Sequence, residues 1–316
     1  MARTTRTEGG LVKSLTLALI LALHLTGLWT HVSSTTRARL IAAGSGISSP
    51  PKTAPAPIPA PFVAPPVRMS DATIDVPAPS AMAIDADTGT VLYAKNIAQK
   101  RPIASVTKLA TALVILGRHS PDETFIVPAL PSYPPEAETI GLVPGDSFRL
   151  GNVLEAMLVP SANDAADALA IADSGSVAKF AAKMNAKMTE WGIGDTHFAS
   201  ASGLQDEGNY TTASSLAKIA ALAIKNPILA GIVTHTSGTM TSSSGRVYSF
   251  NTTNELLATG QFYGIKTGYT PAAGECFVGL TRINGHAVIT VILGASDRFG
   301  ATTTLTNWIG HTWQWL

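Results

Sequence analysis

The order of elements predicts an α+β fold: an antiparallel sheet built from both ends of one domain, with an all-helical subdomain inserted between them. Three observations carry this. Strand and hairpin signals stand at the two ends of the stretch from Ala78 onward, around Asp87-Thr-Gly89 and Asn284-Gly285. The block between them reads as helices from the periodicity of its alanines and leucines. About 240 residues remain from Ala78, enough for one large core or two closely packed subdomains.

Taken in order, Ala81–Asp85 and Thr90–Tyr93 flank Asp87-Thr-Gly89 as a hairpin. A strongly apolar helix is expected next, opened by Ala104-Ser105-Val-Thr-Lys108 and running to Leu116. After Pro121 the chain is rich in proline and reads as loop. Leu150–Leu158 is a helix that stops before Pro160, and Ala165–Ala172 is another beyond Ser161-Ala-Asn163. Val177–Trp191 is amphipathic and ends at Gly192, and a capped helix covers Ala213–Lys225. Strands return with Gly264–Tyr269, then Cys276–Ile283 and His286–Leu293 around a type I′ turn at Asn284-Gly285. Ala301–Leu316 is expected to close the domain as a helix carrying Trp308, Trp313 and Trp315. A groove between sheet and helices is the natural place for a site.

Upstream lie two segments of different character. Leu15–Leu28, extended by Trp29 and Val32, is the apolar run of membrane length, preceded by Arg3, Arg6 and Lys13. Residues 1–34 therefore read as a secretory signal peptide or N-terminal membrane anchor, and the absence of Ala-x-Ala behind the run favours the anchor. Residues 35–77 read as a proline-rich linker, clearest in Ser49–Pro66, which favours an extended polyproline II spacer rather than a core. The expected working domain is 78–316, on the extracytoplasmic face of a cell membrane or secreted to the cell wall.

The charge is nearly balanced, 22 Lys and Arg against 21 Asp and Glu. Residues 1–40 hold five of the basic residues and only Glu8, so the remainder carries 17 basic against 20 acidic. No basic surface for nucleic acid follows from such a balance. The single cysteine, Cys276, sits in an apolar run and reads as a packing residue, and the seven histidines include no pair at metal-ligand spacing.

The chemistry centres on Ser105 and Lys108. Residues at i and i+3 share a helical face, so the lysine amine can reach the serine hydroxyl, which is a poor nucleophile until a base takes its proton. A helix N-terminus and an apolar surrounding both disfavour a protonated lysine there. The pattern alone is weak. Ser-x-x-Lys occurs four times, at Ser49–Lys52, Ser105–Lys108, Ser176–Lys179 and Ser215–Lys218. The first lies in the proline tract, and the third and fourth open alanine-rich surface helices where serine is an ordinary cap and lysine a solvated residue. Ser161-Ala-Asn163 sits between two helices and, by itself, is equally an ordinary cap. Ser249-Phe-Asn251 shows that Ser-x-Asn recurs by chance. Lys266-Thr-Gly268 is unique in the chain and falls on a strand, where a lone lysine is otherwise an edge residue.

Together, and in this order, the three motifs resemble those of the penicillin-recognising serine acyltransferases. More narrowly the sequence is similar to low-molecular-weight penicillin-binding proteins of the serine-type D-alanyl-D-alanine carboxypeptidase family, from about Ser80 to the C-terminus. Supporting stretches are Ala83–Tyr93, Ala104–Lys108, Gly141-Leu-Val-Pro-Gly145, Pro160–Ala166, Phe198–Leu204, Tyr210–Ala213 and Gly264–Thr270. Ala162 departs from the glycine common in the family, and the family's frequent C-terminal β-domain is not expected in this stretch. The resemblance implies a β-lactamase/transpeptidase-like fold with a five-stranded antiparallel sheet. It implies that Ser105 attacks the bond between two D-alanines of a peptidoglycan stem peptide, Lys108 takes its proton, and Ser161 passes a proton to the leaving amine. Asn163, Lys266, Thr267 and Gly268 would bind substrate, and backbone N–H groups of Ser105 and Tyr269 would hold the oxyanion. No metal or organic cofactor is implied, and β-lactam antibiotics would acylate Ser105.

Three other functions compete. A D,D-endopeptidase that cuts cross-links uses identical motifs. A class A-like β-lactamase needs a glutamate for its deacylating water, for which Glu207 is the candidate and Glu190 and Glu255 are worse placed. A wall-binding module on an inactive scaffold has no need of a nucleophile with its base.

Overall fold

A computed structural model describes residues 63–204 and 208–316. The apolar run, most of the proline tract and Glu207 lie outside the described residues. Five strands form the central sheet: β1 (Ser80–Asp85), β2 (Val91–Lys95), β3 (Phe262–Thr270), β4 (Gly274–Ile283) and β5 (His286–Ala295). Their spatial order is β3-β4-β5-β1-β2, antiparallel throughout. Seven helices are present among the described residues: α1 (Lys108–Leu116), α2 (Leu150–Leu158), α3 (Asn163–Ser174), α4 (Val177–Glu190), α5 (Ala213–Lys225), α6 (Pro227–Ile232) and α7 (Arg298–Thr312).

The turns follow from local chemistry. Asp85 accepts the Thr88 N–H at 2.7 Å and the Thr88 hydroxyl at 2.6 Å, and Gly89 takes a φ of +73°, which closes the β1–β2 hairpin. Asn284 and Gly285 have φ of +51° and +86°, the pair a type I′ turn requires. Sheet burial alternates with period two but faces apolar neighbours on both sides. Met82, Ile84, Val278, Ile289 and Val291 join the core under α1 to α5, while Ala81, Ala83, Phe277, Val288 and Ile292 pack against Leu305 and Ile309 of α7. Both faces being covered, β1 is buried from end to end and shows no polar alternation.

Several boundaries differ from the expectation. The closing helix ends at Thr312, and Trp313–Gln314 instead pairs with Val67–Arg68 as a two-residue ribbon. Trp315 donates to Asp85 at 2.7 Å, tying the C-terminus to the first hairpin. Val76 is fully buried in the α7-side core, so the folded unit takes in residues read as linker. Beyond α5, α6 is started by Asn226, whose side chain accepts from the Ile228 and Leu229 N–H groups with Pro227 in the first turn. A half-buried hairpin, Ser237–Thr241 with Val247–Asn251, follows and turns Met240, Tyr248 and Phe250 into the core. Ser176 caps α4 as expected, but α5 is capped by Thr212, and Ser215 is a buried residue donating to the Gly194 carbonyl. Cys276 is buried.

Candidate active site

Ser105 does not lie on an α-helix. Ala104–Thr107 form a 3₁₀ turn, and α1 begins at Lys108. Ala104 has a φ of +48°, a region costly for a residue with a Cβ. What holds it is the facing loop. A Cβ on Gly203 would lie 2.0 Å from the Ala104 carbonyl oxygen, so only glycine lets that backbone come so close. On the other side, a Cβ on Gly268 of β3 would lie 3.1 Å from the Ser105 nitrogen. Two glycines thus clamp the serine turn from both flanks.

Lys108 is wholly buried, and its Nζ has three oxygens around it: Ser105 Oγ at 2.7 Å, Asn163 Oδ1 at 2.7 Å and the Ser202 carbonyl at 2.8 Å. Burial pushes its pKa down to about 7, against the opposing pull of Asp167, Asp164 and Glu138. The partners sort the protons. The amide and carbonyl oxygens can only accept, so they take two N–H groups of a neutral amine. In that neutral form the lone pair faces the Ser105 hydroxyl, and in the ammonium form the third N–H donates to it.

Ser161 sits just before α3 with a φ of +70°, and Asn163 is the first residue of that helix; both are buried. The turn is pinned by the neighbouring segment 138–142. Asn163 N–H donates to the Glu138 carbonyl at 2.7 Å, and the buried Asp164 carboxylate accepts from the N–H groups of Ile140, Gly141 and Leu142. Lys266 and Thr267 are buried on β3, while Tyr269 is 61% exposed. Lys266 Nζ donates to the Thr267 carbonyl at 3.0 Å, and Thr267 Oγ1 shares a hydrogen with Thr253 Oγ1. Burial lowers the Lys266 pKa well below the usual lysine range, and the positive charges of Lys108 and Arg298 lower it further. Arg298 Nη1 reaches the Gly268 carbonyl at 3.1 Å.

A cleft of about 160 Å³ gathers Ser105, Ser161, Thr267, Gly268 and Tyr269, with Thr253, Glu136, Glu138 and Arg298. All the residues singled out in the sequence therefore converge, with Lys108, Asn163 and Lys266 beneath the cleft walls. Arg298, Thr253 and the two glutamates carried no motif, because each reaches the site from a loop or element end far from the three motifs. The Ser202 carbonyl is a backbone contact, although its stretch, Phe198–Leu204, is among those that carry the resemblance. Of the lactamase glutamates, Glu190 ends α4 and Glu255 begins a 3₁₀ turn, and neither lines the cleft. Among the described residues no group of three or more His, Cys, Asp or Glu is placed to hold a metal ion.

A hydroxyl 2.7 Å from a buried amine whose pKa is lowered to about 7, beside a strand lysine and Arg298, defines a serine hydrolase that works by acyl transfer. The profile of the D-alanyl-D-alanine carboxypeptidases, peptidase family S11, matches residues 67–297. The carboxypeptidase DacF of Bacillus subtilis is 31% identical over 69% of this chain, which spans 58% of that relative's length. DacB2 of Mycobacterium tuberculosis, also named a D-alanyl-D-alanine carboxypeptidase, is 32% identical over 74% of this chain and 82% of its own. A D-alanyl-D-alanine endopeptidase of Escherichia coli is 32% identical over 73% and 76%. The crystal structure of the Streptomyces K15 DD-transpeptidase superposes with a TM-score of 0.69 at 28% identity, covering 75% of this chain and 98% of that one. PBP3 of Streptococcus pneumoniae, titled a peptidoglycan synthesis regulatory factor, gives 0.69 at 33% identity over 75% and 72%. The chain belongs to the D-alanyl-D-alanine carboxypeptidase family of serine peptidases.

Proposed function

We propose that this protein hydrolyses the terminal D-Ala-D-Ala bond of peptidoglycan stem peptides through an acyl-enzyme on Ser105. The observation that carries the reading is the three-oxygen environment of Lys108, in which two oxygens can only accept and the serine hydroxyl alone can give a proton to the neutral amine. Ser105 attacks the carbonyl as its proton passes to Lys108, and the backbone N–H groups of Ser105 and Tyr269 hold the developing oxyanion. Ser161 relays a proton to the departing D-alanine amine, and Asn163 keeps Lys108 aimed. Lys266 and Thr267, with Arg298 at the cleft wall, bind the terminal carboxylate by charge-assisted hydrogen bonds. Gly268, having no side chain, leaves room for the peptide along β3. Water then releases the shortened stem.

Lys266 on the strand and Arg298 at the cleft wall support a carboxylate-ended substrate, and with it a carboxypeptidase. The E. coli relative named an endopeptidase supports cutting of cross-links as the second reading. Peptidoglycan lies outside the cell membrane, which supports an extracytoplasmic enzyme held by its apolar N-terminal segment. Intact mass after benzylpenicillin tests the acylation: a lasting adduct on Ser105 is expected, and its absence refutes the nucleophile. Rapid return to free enzyme with penicillin consumed would mark a β-lactamase instead. Digestion of muropeptides then separates the two peptidase readings, free D-alanine against broken cross-links.

A further inference from the structure

At the end of β3 away from the serine lies a groove of about 440 Å³, a size within the range of small-ligand sites. One wall is α7, where Thr306, Asn307, Gly310 and His311 fall at helical spacing on a single face. The other is the start of β3, with Gln261 just before it and Tyr263 on it, and the end of β4 at Arg282 and Ile283. The core fixes that second wall. Phe262 is buried against the α7 side and pairs with Thr281, whose hydroxyl donates to the Gln261 carbonyl at 2.7 Å.

The lining holds hydrogen-bonding groups of both kinds. Among the described residues that form it there is no carboxylate, and Arg282 is the one permanent charge. The side-chain amides of Gln261 and Asn307 make no hydrogen bond to the described residues, so each offers donors and an acceptor. His311 Nδ1 lies 2.7 Å from the Asn307 carbonyl, which can only accept; Nδ1 therefore holds the proton, and Nε2 of the neutral ring is an acceptor. Arg282 gives one N–H to the Gly285 carbonyl at 2.8 Å and has others to donate. Tyr263, 40% exposed, adds an aromatic ring. Gly310 is the second observation. Glycine is a poorer helix former than alanine, and packing does not ask for it here, since a Cβ would meet only Ile283 Cγ2 at an ordinary 3.6 Å. Ile283 stands on the opposite wall, so what the glycine provides is width across the groove.

We propose that this groove binds acetamido sugars of a glycan strand. Such a ring presents hydroxyls and an amide that need donors and acceptors interleaved, and an apolar C–H face that lies on an aromatic side chain. The absence of a carboxylate disfavours a cationic ligand, and a single exposed arginine is too little for a polyanion. Tyr263 stands four residues before Thr267 on the same strand, so a glycan seated here lies alongside the catalytic cleft. The inference stands on the groove's own lining and not on the reading of Ser105.

The full chain, in a detergent without a sugar headgroup, is titrated calorimetrically with chitotetraose, a peptide-free chain of N-acetylglucosamine, and with maltotetraose, which has no acetamides. Saturable binding of chitotetraose is expected, about tenfold tighter than maltotetraose and unchanged after benzylpenicillin is added. Tyr263→Ala and Asn307→Ala should each weaken it about tenfold while acylation of Ser105 proceeds as before. Gly310→Ala should raise the thermal midpoint and still weaken chitotetraose binding, a combination that damage to the fold does not produce. No saturable binding, equal binding of the two sugars, loss of binding with benzylpenicillin, or binding that survives all three substitutions would each overturn the proposal.

Discussion

Lys108 and Lys266 are both sealed from water, yet the two are surrounded by opposite chemistry. Lys108 faces three oxygens and feels the carboxylates of Asp167, Asp164 and Glu138, so burial brings it to about neutrality. Lys266 lies on a strand near Lys108 and Arg298, and burial and repulsion act on it in the same direction. The first environment suits a group that exchanges a proton. The second disfavours the ammonium until an incoming carboxylate pairs with it. Burial alone does not tell a base from an anion holder; the neighbours do.

Substitutions should separate the two. Lys108→Ala is expected to slow acylation by benzylpenicillin about 10³- to 10⁴-fold, as loss of a nucleophile's base does, with little change in peptide affinity. Finding the loss in affinity instead would remove Lys108 from the proton path. Gly203→Ala attacks the Lys108 side alone, since its Cβ meets the Ala104 carbonyl and its φ is +76°. Chemical denaturation should show a loss of about 2–4 kcal/mol, and an unchanged midpoint would mean the serine turn is not held there. Lys266→Ala should raise KM for a carboxylate-ended peptide about 10- to 100-fold, the range of a charge-assisted hydrogen bond. An equal effect on the peptide's C-terminal amide would show that Lys266 does not read the carboxylate.

The smallest effect is in pH. The active form of Lys108 is neutral, so kcat/KM should rise with pH through about 7 and level off above it. Asp167 is the leading charge that opposes burial, so Asp167→Asn should move that inflection to lower pH. A profile flat from pH 5 to 9, or an inflection that moves upward, would contradict this electrostatic account.

The sequence carried the sheet, the helical insertion and the three motifs because each has a local signature. Asn284-Gly285 dictates its turn, Pro160 stops α2, and Lys-Thr-Gly stands alone on its strand. The turn at Ser105 was not legible as 3₁₀, because the backbone it packs against, at Gly203, lies nearly a hundred residues away. The ribbon of Val67–Arg68 with Trp313–Gln314 has two residues a side and joins opposite ends of the domain, too short for any periodicity. Arg298 was invisible for a similar reason: only the fold of β4 and β5 returns it to the cleft. Ser215 shows the reverse error, a good capping residue displaced by Thr212 three positions earlier.

Asp164 plays a different part from its motif neighbours. Its carboxylate gathers the N–H groups of Ile140, Gly141 and Leu142, while Asn163 next to it holds the Glu138 carbonyl. The loop that bears Glu136 and Glu138 and the turn that bears Ser161 and Asn163 are therefore one mechanical part. Variation cannot retune the rim that meets the substrate without tugging on the groups that move the proton. Changes of substrate preference in this lineage would then have to come from side chains such as Glu136 rather than from the path of that loop.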